Sequence, residues 1–149
     1  MRSIAPPGEQ YATARGESMP ESAERLRALT IGLHPKTLDY SRFPDLDEKQ
    51  LTARVNAANA ALRDSEFDIT PCLVSSAPDE AEAEVRELLN GQSFDLVMVG
   101  GAVRAVPEHT LLFERIVNLV ANAAPGIRFC FNTSPETTLD ALRRAAAIA

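Results

Sequence analysis

The sequence has few cysteines, no long apolar run and no cluster of positive charge, and each absence excludes a class of protein. Two cysteines cannot form the framework of a disulfide-rich domain, and neither has a second ligand at metal-binding spacing. Because Cys72 and Cys130 each lie among apolar residues, we expect both to be buried and expect no metal site. No apolar run approaches the ~18 residues of a membrane-spanning helix. Fifteen Lys and Arg against 21 Asp and Glu give a net charge of -6, which disfavours nucleic acid and anionic membranes as partners.

What remains is the composition of one globular domain. The chain has 149 residues, of which 45% are apolar and 24% charged, and this length is enough to bury a sizeable core. Residues 1–20 carry Pro, Gly and Ser without hydrophobic periodicity, so we predict a flexible extension followed by a single domain over residues 21–149. The N-terminus is polar and lacks the apolar core of a signal peptide, which favours a cytoplasmic protein.

From residue 27 onward the chain alternates between strand and helix patterns. Strands are predicted over residues 27–35, 67–75, 94–101 and 127–133. Helices are predicted over residues 47–65, 78–91, 107–126 and 135–149. Four successive strand–helix units predict a three-layer α/β fold, in which helices cover both faces of a four-stranded parallel sheet.

The expected strand order is 2-1-3-4. Pro71 fits this order, because proline cannot donate to a strand ladder and strand 2 is then an edge strand. Cys72 and Cys130 would lie on opposite edge strands, too far apart for a disulfide. Asp47 and Gln50 resemble a capping box at the start of the first helix.

The stretch "DLVMVGGAVR", residues 95–104, points to the place of a site. In open parallel sheets, ligands bind beyond the carboxyl ends of the strands where the strand order reverses, which here lies between strands 1 and 3. Gly100 and Gly101 end strand 3 at this point and would let a ligand approach the backbone. Arg104 would orient an anionic group.

Glu108 modifies this interpretation. It follows Pro107 at the start of a helix, and its carboxylate already complements the positive helix end, which disfavours a plain phosphate site. Arg104 would then pair with Glu108, with a carboxylate of the ligand or with the loop at residues 34–46. Glu108 is itself a candidate ligand-binding residue.

The connection over residues 34–46 is longer than most strand–helix loops, and long loops in compact domains are often functional. Its Lys36, Tyr40 and Arg42 are candidate ligand-binding residues that suit a lid over a small molecule. The alternative is an Ω-loop packed by its own Tyr40 and Phe43.

Polar residues at the same predicted edge complete the candidate site. His34 and His109 are candidate acid–base groups, because an imidazole at a strand end or a helix N-terminus suits proton transfer. A histidine in the position of His109 is more often simply a polar residue of the first helical turn. Asn132 and Thr133 end strand 4 and are candidate ligand contacts.

The predicted order of elements over residues 27–149 resembles the flavodoxin-like group, which includes response-regulator receiver domains. Strand 3 ends in Gly100 and Gly101 where a receiver has its phosphoacceptor aspartate, although Thr133 and Ser134 lie where a receiver has a strand-4 hydroxyl. The segment "LHPKTLDY" is not the hydroxyl-rich phosphate loop of a flavodoxin, and "GGAVRA" departs from the G-x-G-x-x-G pattern. The resemblance therefore implies a truncated flavodoxin-like architecture alone, and no cofactor is expected.

Two interpretations from different functional classes fit these residues. The first is a small cytoplasmic protein that binds a small polar or anionic metabolite at the carboxyl edge of the sheet. If it is an enzyme, His34 or His109 is the acid–base group. The alternative is a receiver-like interaction module without enzymatic activity or a phosphorylation site. The helix over residues 107–124 is apolar on more than one face, which indicates either a helix buried between the sheet and its neighbours or a homodimer through this helix or through a sheet edge.

Overall fold

The protein alternates strands and helices along the chain, as its sequence pattern predicts. The computed structural model describes residues 25–148, and the extension expected over residues 1–20 lies outside them. The strands are β1 (Arg27–Leu33), β2 (Asp68–Val74), β3 (Leu96–Val99) and β4 (Arg128–Phe131). The helices are α1 (Glu48–Arg63), α2 (Pro78–Gly91), α3 (Gly101–Arg104), α4 (Thr110–Ala123) and α5 (Thr138–Ala146). Single 3₁₀ turns cover Pro35–Thr37, Tyr40–Arg42, Pro107–His109 and Pro135–Thr137.

The four strands form one parallel sheet in the order β2-β1-β3-β4, which confirms the predicted order 2-1-3-4. Strand β2 is an edge strand, and its Pro71 lies opposite Thr30 of β1. Thr30 in turn lies opposite Met98 of β3. This register fixes which side chains lie side by side on each face of the sheet.

Helices cover both faces of the sheet, as expected for a three-layer fold. On one face, α2 and α4 pack on the larger apolar cluster, which includes Leu29, Ile31, Val97, Val99, Val85 and Ile116. On the other face, α1 and α5 pack on a smaller cluster, which includes Ala28, Leu96, Met98, Leu62, Leu142 and Ala145. Strand β3 is buried at all four positions, because helices lie over both of its faces.

The two cysteines lie on the two edge strands, and both are buried. Burial raises the pKa of the Cys72 thiol to about 11 and that of the Cys130 thiol to about 11, since an apolar surrounding disfavours the thiolate. Both thiols therefore stay protonated at neutral pH and behave as small apolar groups.

The segment after β3 differs from the prediction, because the strand ends at Val99 and Gly101–Arg104 form the helical turn α3. Gly100 is the N-cap of α3, and its carbonyl accepts hydrogen bonds from the backbone N–H groups of Val103 (3.1 Å) and Arg104 (3.1 Å). The helix predicted over residues 107–126 likewise begins as a 3₁₀ turn and continues as α4.

Two neighbouring leucines of α4 measure how much the core contributes to stability. Leu112 is 1% exposed and Leu111 is 55% exposed. We predict that Leu112→Ala lowers the free energy of unfolding by about 2–5 kcal/mol, through lost burial and a new cavity. Leu111→Ala serves as the matched control and changes it by less than about 0.5 kcal/mol. Urea denaturation of both variants checks the difference, and equal effects would contradict the placement of α4.

Candidate functional site

A cavity of about 450 Å³ lies at the carboxyl edge of the sheet, beneath α1. Its floor is the sheet, with residues of β1, β2 and β3, and its roof is one face of α1. One end is closed by α3 and by the segment that follows β4. This is the position at which the strand order reverses, where ligands bind in open parallel sheets.

The floor of the cavity lacks side chains at two neighbouring positions, which are both glycine. A Cβ built on Gly100 would lie 3.5 Å from the Cα of Gly32 in the neighbouring strand. A Cβ built on Gly32 would lie 3.5 Å from Cδ2 of Leu73, an ordinary contact distance. Neither of these two positions therefore places a side chain in the cavity.

The roof is the apolar stripe of α1 that the sequence predicts. Leu51, Val55 and Ala58 are half-buried and line the cavity, whereas Leu62 near the helix end is 3% exposed and belongs to the core. The stripe therefore covers empty space over most of its length. The predicted capping box of α1 is present at its start.

The loop at residues 34–46 forms one wall of the cavity. Leu38, Phe43 and Leu46 line it, while the Tyr40 hydroxyl donates to the Pro35 carbonyl over 2.6 Å. Tyr40 and Phe43 also pack against the larger core cluster. The loop thus has the self-packed interior expected of the Ω-loop alternative and also supplies apolar lining to the cavity.

Asn132 joins the ends of β3 and β4 to α5. It is buried, its Oδ1 accepts from the Gly101 N–H over 2.9 Å, and its Nδ2 donates to Oγ1 of Thr138 over 2.8 Å. A Cβ built on Gly101 would lie 3.6 Å from the carbonyl oxygens of Asn132 and Thr133, an ordinary contact distance. Asn132 lines the cavity, but its side chain is occupied in holding the site together.

Arg104 lies at the same end of the cavity. Its Nη2 donates to the Asn132 carbonyl over 3.0 Å, and its guanidinium lies 5.6 Å from the centre of the Phe131 ring. Its Nε is buried and has no hydrogen-bond partner. No carboxylate within residues 25–148 forms an ion pair with this guanidinium.

Of the three partners considered for Arg104, Glu108 is not the one that the structure gives it. Glu108 instead accepts a hydrogen bond from Nη1 of Arg42 over 2.6 Å, so the loop at residues 34–46 takes its carboxylate. Arg42 and Glu108 therefore bind each other on the protein surface. The guanidinium of Arg104 keeps its charge without a described counterion.

The two candidate histidines do not line the cavity. Nδ1 of His109 lies 2.8 Å from the Ala102 carbonyl, which can only accept, so Nδ1 carries the proton and Nε2 is the acceptor. Nδ1 of His34 accepts from the backbone N–H of Lys36 over 3.1 Å, so this ring carries its proton on Nε2 when neutral. His34 is held by the backbone of its own turn, and His109 is held by the backbone of α3.

The structure therefore brings together only part of the predicted site. Five of the candidates line the cavity: Gly100, Gly101, Arg104, Asn132 and Thr133. Six do not line it: His34, Lys36, Tyr40, Arg42, Glu108 and His109.

Sequence reasoning missed the floor and the roof. Thr30, Gly32 and Asn59 all line the cavity, and none was among the candidates. Thr30 and Gly32 could have been identified from the sequence, since a polar residue and a glycine are unusual within the apolar run of β1. Asn59 carried no such signal, because an isolated polar residue on an amphipathic helix is normal.

An ion pair ties α1 to the turn before α5. Nε and Nη2 of Arg54 donate to the two carboxylate oxygens of Glu136 over 2.8 and 2.7 Å. The bonds from Arg54 lower the pKa of Glu136 to about 2. Arg54 lines the cavity, so its charge there is already balanced.

Comparisons with known proteins do not assign the chain to a family. No protein-family model matches the sequence, and no curated protein shows significant similarity to it. Within residues 25–148, no helix has the length and apolarity to cross a membrane. The same residues contain no group of three or more His, Cys, Asp or Glu side chains that could hold a metal ion.

The role of Asn132 is testable by stability. We predict that Asn132→Ala lowers the free energy of unfolding by about 1–3 kcal/mol, because it leaves the Gly101 N–H without its acceptor and removes one of the two hydrogen bonds of the Thr138 hydroxyl. Asn122→Ala, on an exposed position of α4, is the control and stays within about 0.5 kcal/mol of wild type. Urea denaturation measures both, and a neutral Asn132→Ala would show that the amide is dispensable.

The ion pair at the cavity rim predicts a pH dependence. Because the pKa of Glu136 is lowered on folding, its contribution to stability is present above the ordinary glutamate pKa near 4.3 and is lost as the pH falls towards 2. In Arg54→Gln the pKa of Glu136 should rise towards the ordinary value. The pKa of Glu66, held at about 2 chiefly by Arg143, should not change. NMR titration of the carboxyl carbons checks both, and a wild-type Glu136 that titrates near pH 4 would refute the pairing.

Proposed function

We propose that the protein binds a small, largely apolar molecule with one polar or anionic end in the cavity beneath α1. The observation that carries this proposal is the pair of adjacent glycines, Gly32 and Gly100, at the reversal point of the sheet. They leave a cavity of about 450 Å³ where a packed core would otherwise lie. This volume falls within the range of small-molecule sites, roughly 300–1,000 Å³.

The lining favours an apolar ligand body. Most of the lining side chains are aliphatic, aromatic or thioether groups, including Leu38, Phe43, Leu46, Leu51, Val55, Leu73, Met98 and Val106. Covering these groups removes apolar surface from water, which stabilises a complex by roughly 25 cal/mol for each Å² of apolar surface buried. The ligand is therefore expected to be more apolar than the polar metabolite considered from the sequence.

Arg104 favours a polar or anionic group at one end of the ligand. Its guanidinium has no described counterion, in contrast to Arg54, which Glu136 neutralises. The overall charge of -6 repels anions at long range, so an anionic group would depend on this local contact. Phosphate is not favoured, because Asn132 already takes the N–H of Gly101.

The positions of the two histidines support a protein that binds its ligand without catalysing a reaction. His34 and His109, the candidate acid–base groups, do not line the cavity, and backbone groups fix one nitrogen of each ring. A general base must lie within hydrogen-bond reach of the proton that it removes.

The receiver-like alternative has less support. It depends on spare apolar surface along α4, but Leu112, Ile116, Leu119 and Val120 are buried in the protein's own core. Leu111 is the large apolar side chain of α4 that stays exposed, and a single exposed leucine is ordinary for a protein surface.

Filling the cavity tests the proposal. We predict that Gly32→Val keeps the fold, because the new Cβ makes an ordinary contact with Leu73 and valine favours strands. The variant should bind 1-anilinonaphthalene-8-sulfonate, an anion with an apolar body, at least about tenfold more weakly than wild type, a loss of about 1.4 kcal/mol. Fluorescence titration measures binding, and urea denaturation measures stability.

Gly91→Ala is the matched control, because a Cβ at Gly91 meets nothing within 4 Å and the residue does not line the cavity. This variant should bind the dye as wild type does. If Gly32→Val binds the dye with wild-type affinity, the proposal is wrong, because the dye then binds outside the cavity.

A further inference from the structure

Thr30 is a buried polar residue whose hydroxyl forms no hydrogen bond within the described part of the chain. The described chain buries three polar residues, which are Thr30 at 6% exposure, Asn132 and Thr138. Asn132 and Thr138 bond to each other, and each makes a further hydrogen bond. The Thr30 hydroxyl takes part in none of the hydrogen bonds formed within residues 25–148.

The cross-strand neighbours of Thr30 offer its hydroxyl no strong side-chain partner. They are Pro71, whose side chain has no polar atom, and Met98, whose thioether sulfur is only a weak acceptor. All three line the floor of the cavity. Within residues 25–148, Nε of Arg104 is the fully enclosed side-chain atom that lacks a partner, so the Thr30 hydroxyl is instead reachable from the cavity and can bond to a group placed there.

The roof carries a second neutral polar group. Asn59 is half-buried on α1 and lines the same cavity, and its carboxamide also makes no hydrogen bond within the described chain. It stands between the apolar roof residues Val55 and Leu62, one helical turn from each. The cavity therefore has a neutral polar group on its floor and another on its roof, each among apolar neighbours.

We propose that Thr30, with Asn59 on the roof, recognises an uncharged hydrogen-bonding group within the apolar body of the ligand. This inference rests on the proposed function and names the ligand class: an apolar molecule that carries a hydroxyl, carbonyl or amide apart from its anionic end. A charged group is disfavoured at this position, because neither side chain balances a charge and the surroundings are apolar.

The same contacts make Thr30 a specificity-determining residue. A site that hydrogen-bonds a ligand hydroxyl rejects the analogue without it, because the buried polar group of the protein is then left unpaired. Valine has the shape of threonine without the hydroxyl. Thr30→Val therefore removes the hydrogen bond while the floor of the cavity keeps its form.

Two probes of matched shape test this inference, 2-naphthol and 2-methylnaphthalene. Their affinities for wild type and for Thr30→Val are measured by NMR titration. The ratio of the two affinities should change between the proteins by roughly five- to tenfold in favour of 2-methylnaphthalene, the size of one neutral hydrogen bond. Differences in the hydration of the two probes cancel in this comparison, because both proteins take them from the same solvent.

Thr70→Val is the matched control. Thr70 lies in β2, does not line the cavity and is half-buried, so its variant should keep the wild-type ratio. The melting temperature of each variant is measured alongside, and a folded Thr30→Val makes its ratio interpretable. Asn59→Leu removes the polar group on the roof that would contact the same hydroxyl of the probe. It should therefore shift the ratio of the two affinities in the same direction as Thr30→Val.

The outcomes separate the inference from the proposed function. An unchanged ratio in both Thr30→Val and Asn59→Leu overturns the inference. If Gly32→Val has meanwhile lost the dye, the cavity still binds ligands and the proposed function stands. If wild type binds neither naphthyl probe, the inference also falls. If it does not bind the dye either, the proposed function falls with it.

Discussion

The pairing of β1 with β3 sets Gly32 beside Gly100, and the arrangement of the site follows from that contact. Side chains at these two positions would fill the space between the sheet and α1. Without them the floor is low, and α1 lies over a cavity instead of packing along its whole length. The cavity opens at the carboxyl edge because both glycines lie at or just beyond the ends of their strands.

The same contact determines how α1 is held. Its C-terminal end is anchored in the core by Leu62, while its middle faces the cavity and is joined to the turn before α5 by Arg54 and Glu136. Both of these side chains are about half exposed, so the ion pair contributes little free energy in water. The start of α1 is closed by its own capping box. Few buried contacts hold the middle of this helix, so local opening there costs less than unfolding of the core.

Much of this fold can be read from the sequence. The alternation of strand and helix patterns predicts the parallel sheet, Pro71 marks its edge, and the rules for such sheets place Gly100 at the reversal point. The helix α3 could not be predicted, because four residues carry no periodicity. The partners of Arg104 and Glu108 could not be predicted either, since they depend on where the loop at residues 34–46 lies in space.

The glycine of β1 shows a different limit of sequence-based prediction. Gly32 is visible as a glycine within an apolar strand, and Thr30 as a polar residue two positions earlier. From the sequence alone, a glycine within a strand can mark either a close approach of another backbone or the floor of a cavity. The register of the sheet makes the distinction, because it shows that Gly32 and Gly100 are neighbours with no side chain between them and α1.

Strand β1 has a feature that supports the proposed ligand site. Thr30 and Gly32 share one face of the strand, while Leu29 and Ile31 on the opposite face are fully buried in the larger core. Glycine within a strand lowers stability, and the Thr30 hydroxyl makes no hydrogen bond within the described chain. Both residues lie on the face that lines the cavity. Departures from local sequence preference are expected at functional sites, so their confinement to this face supports the proposed binding site.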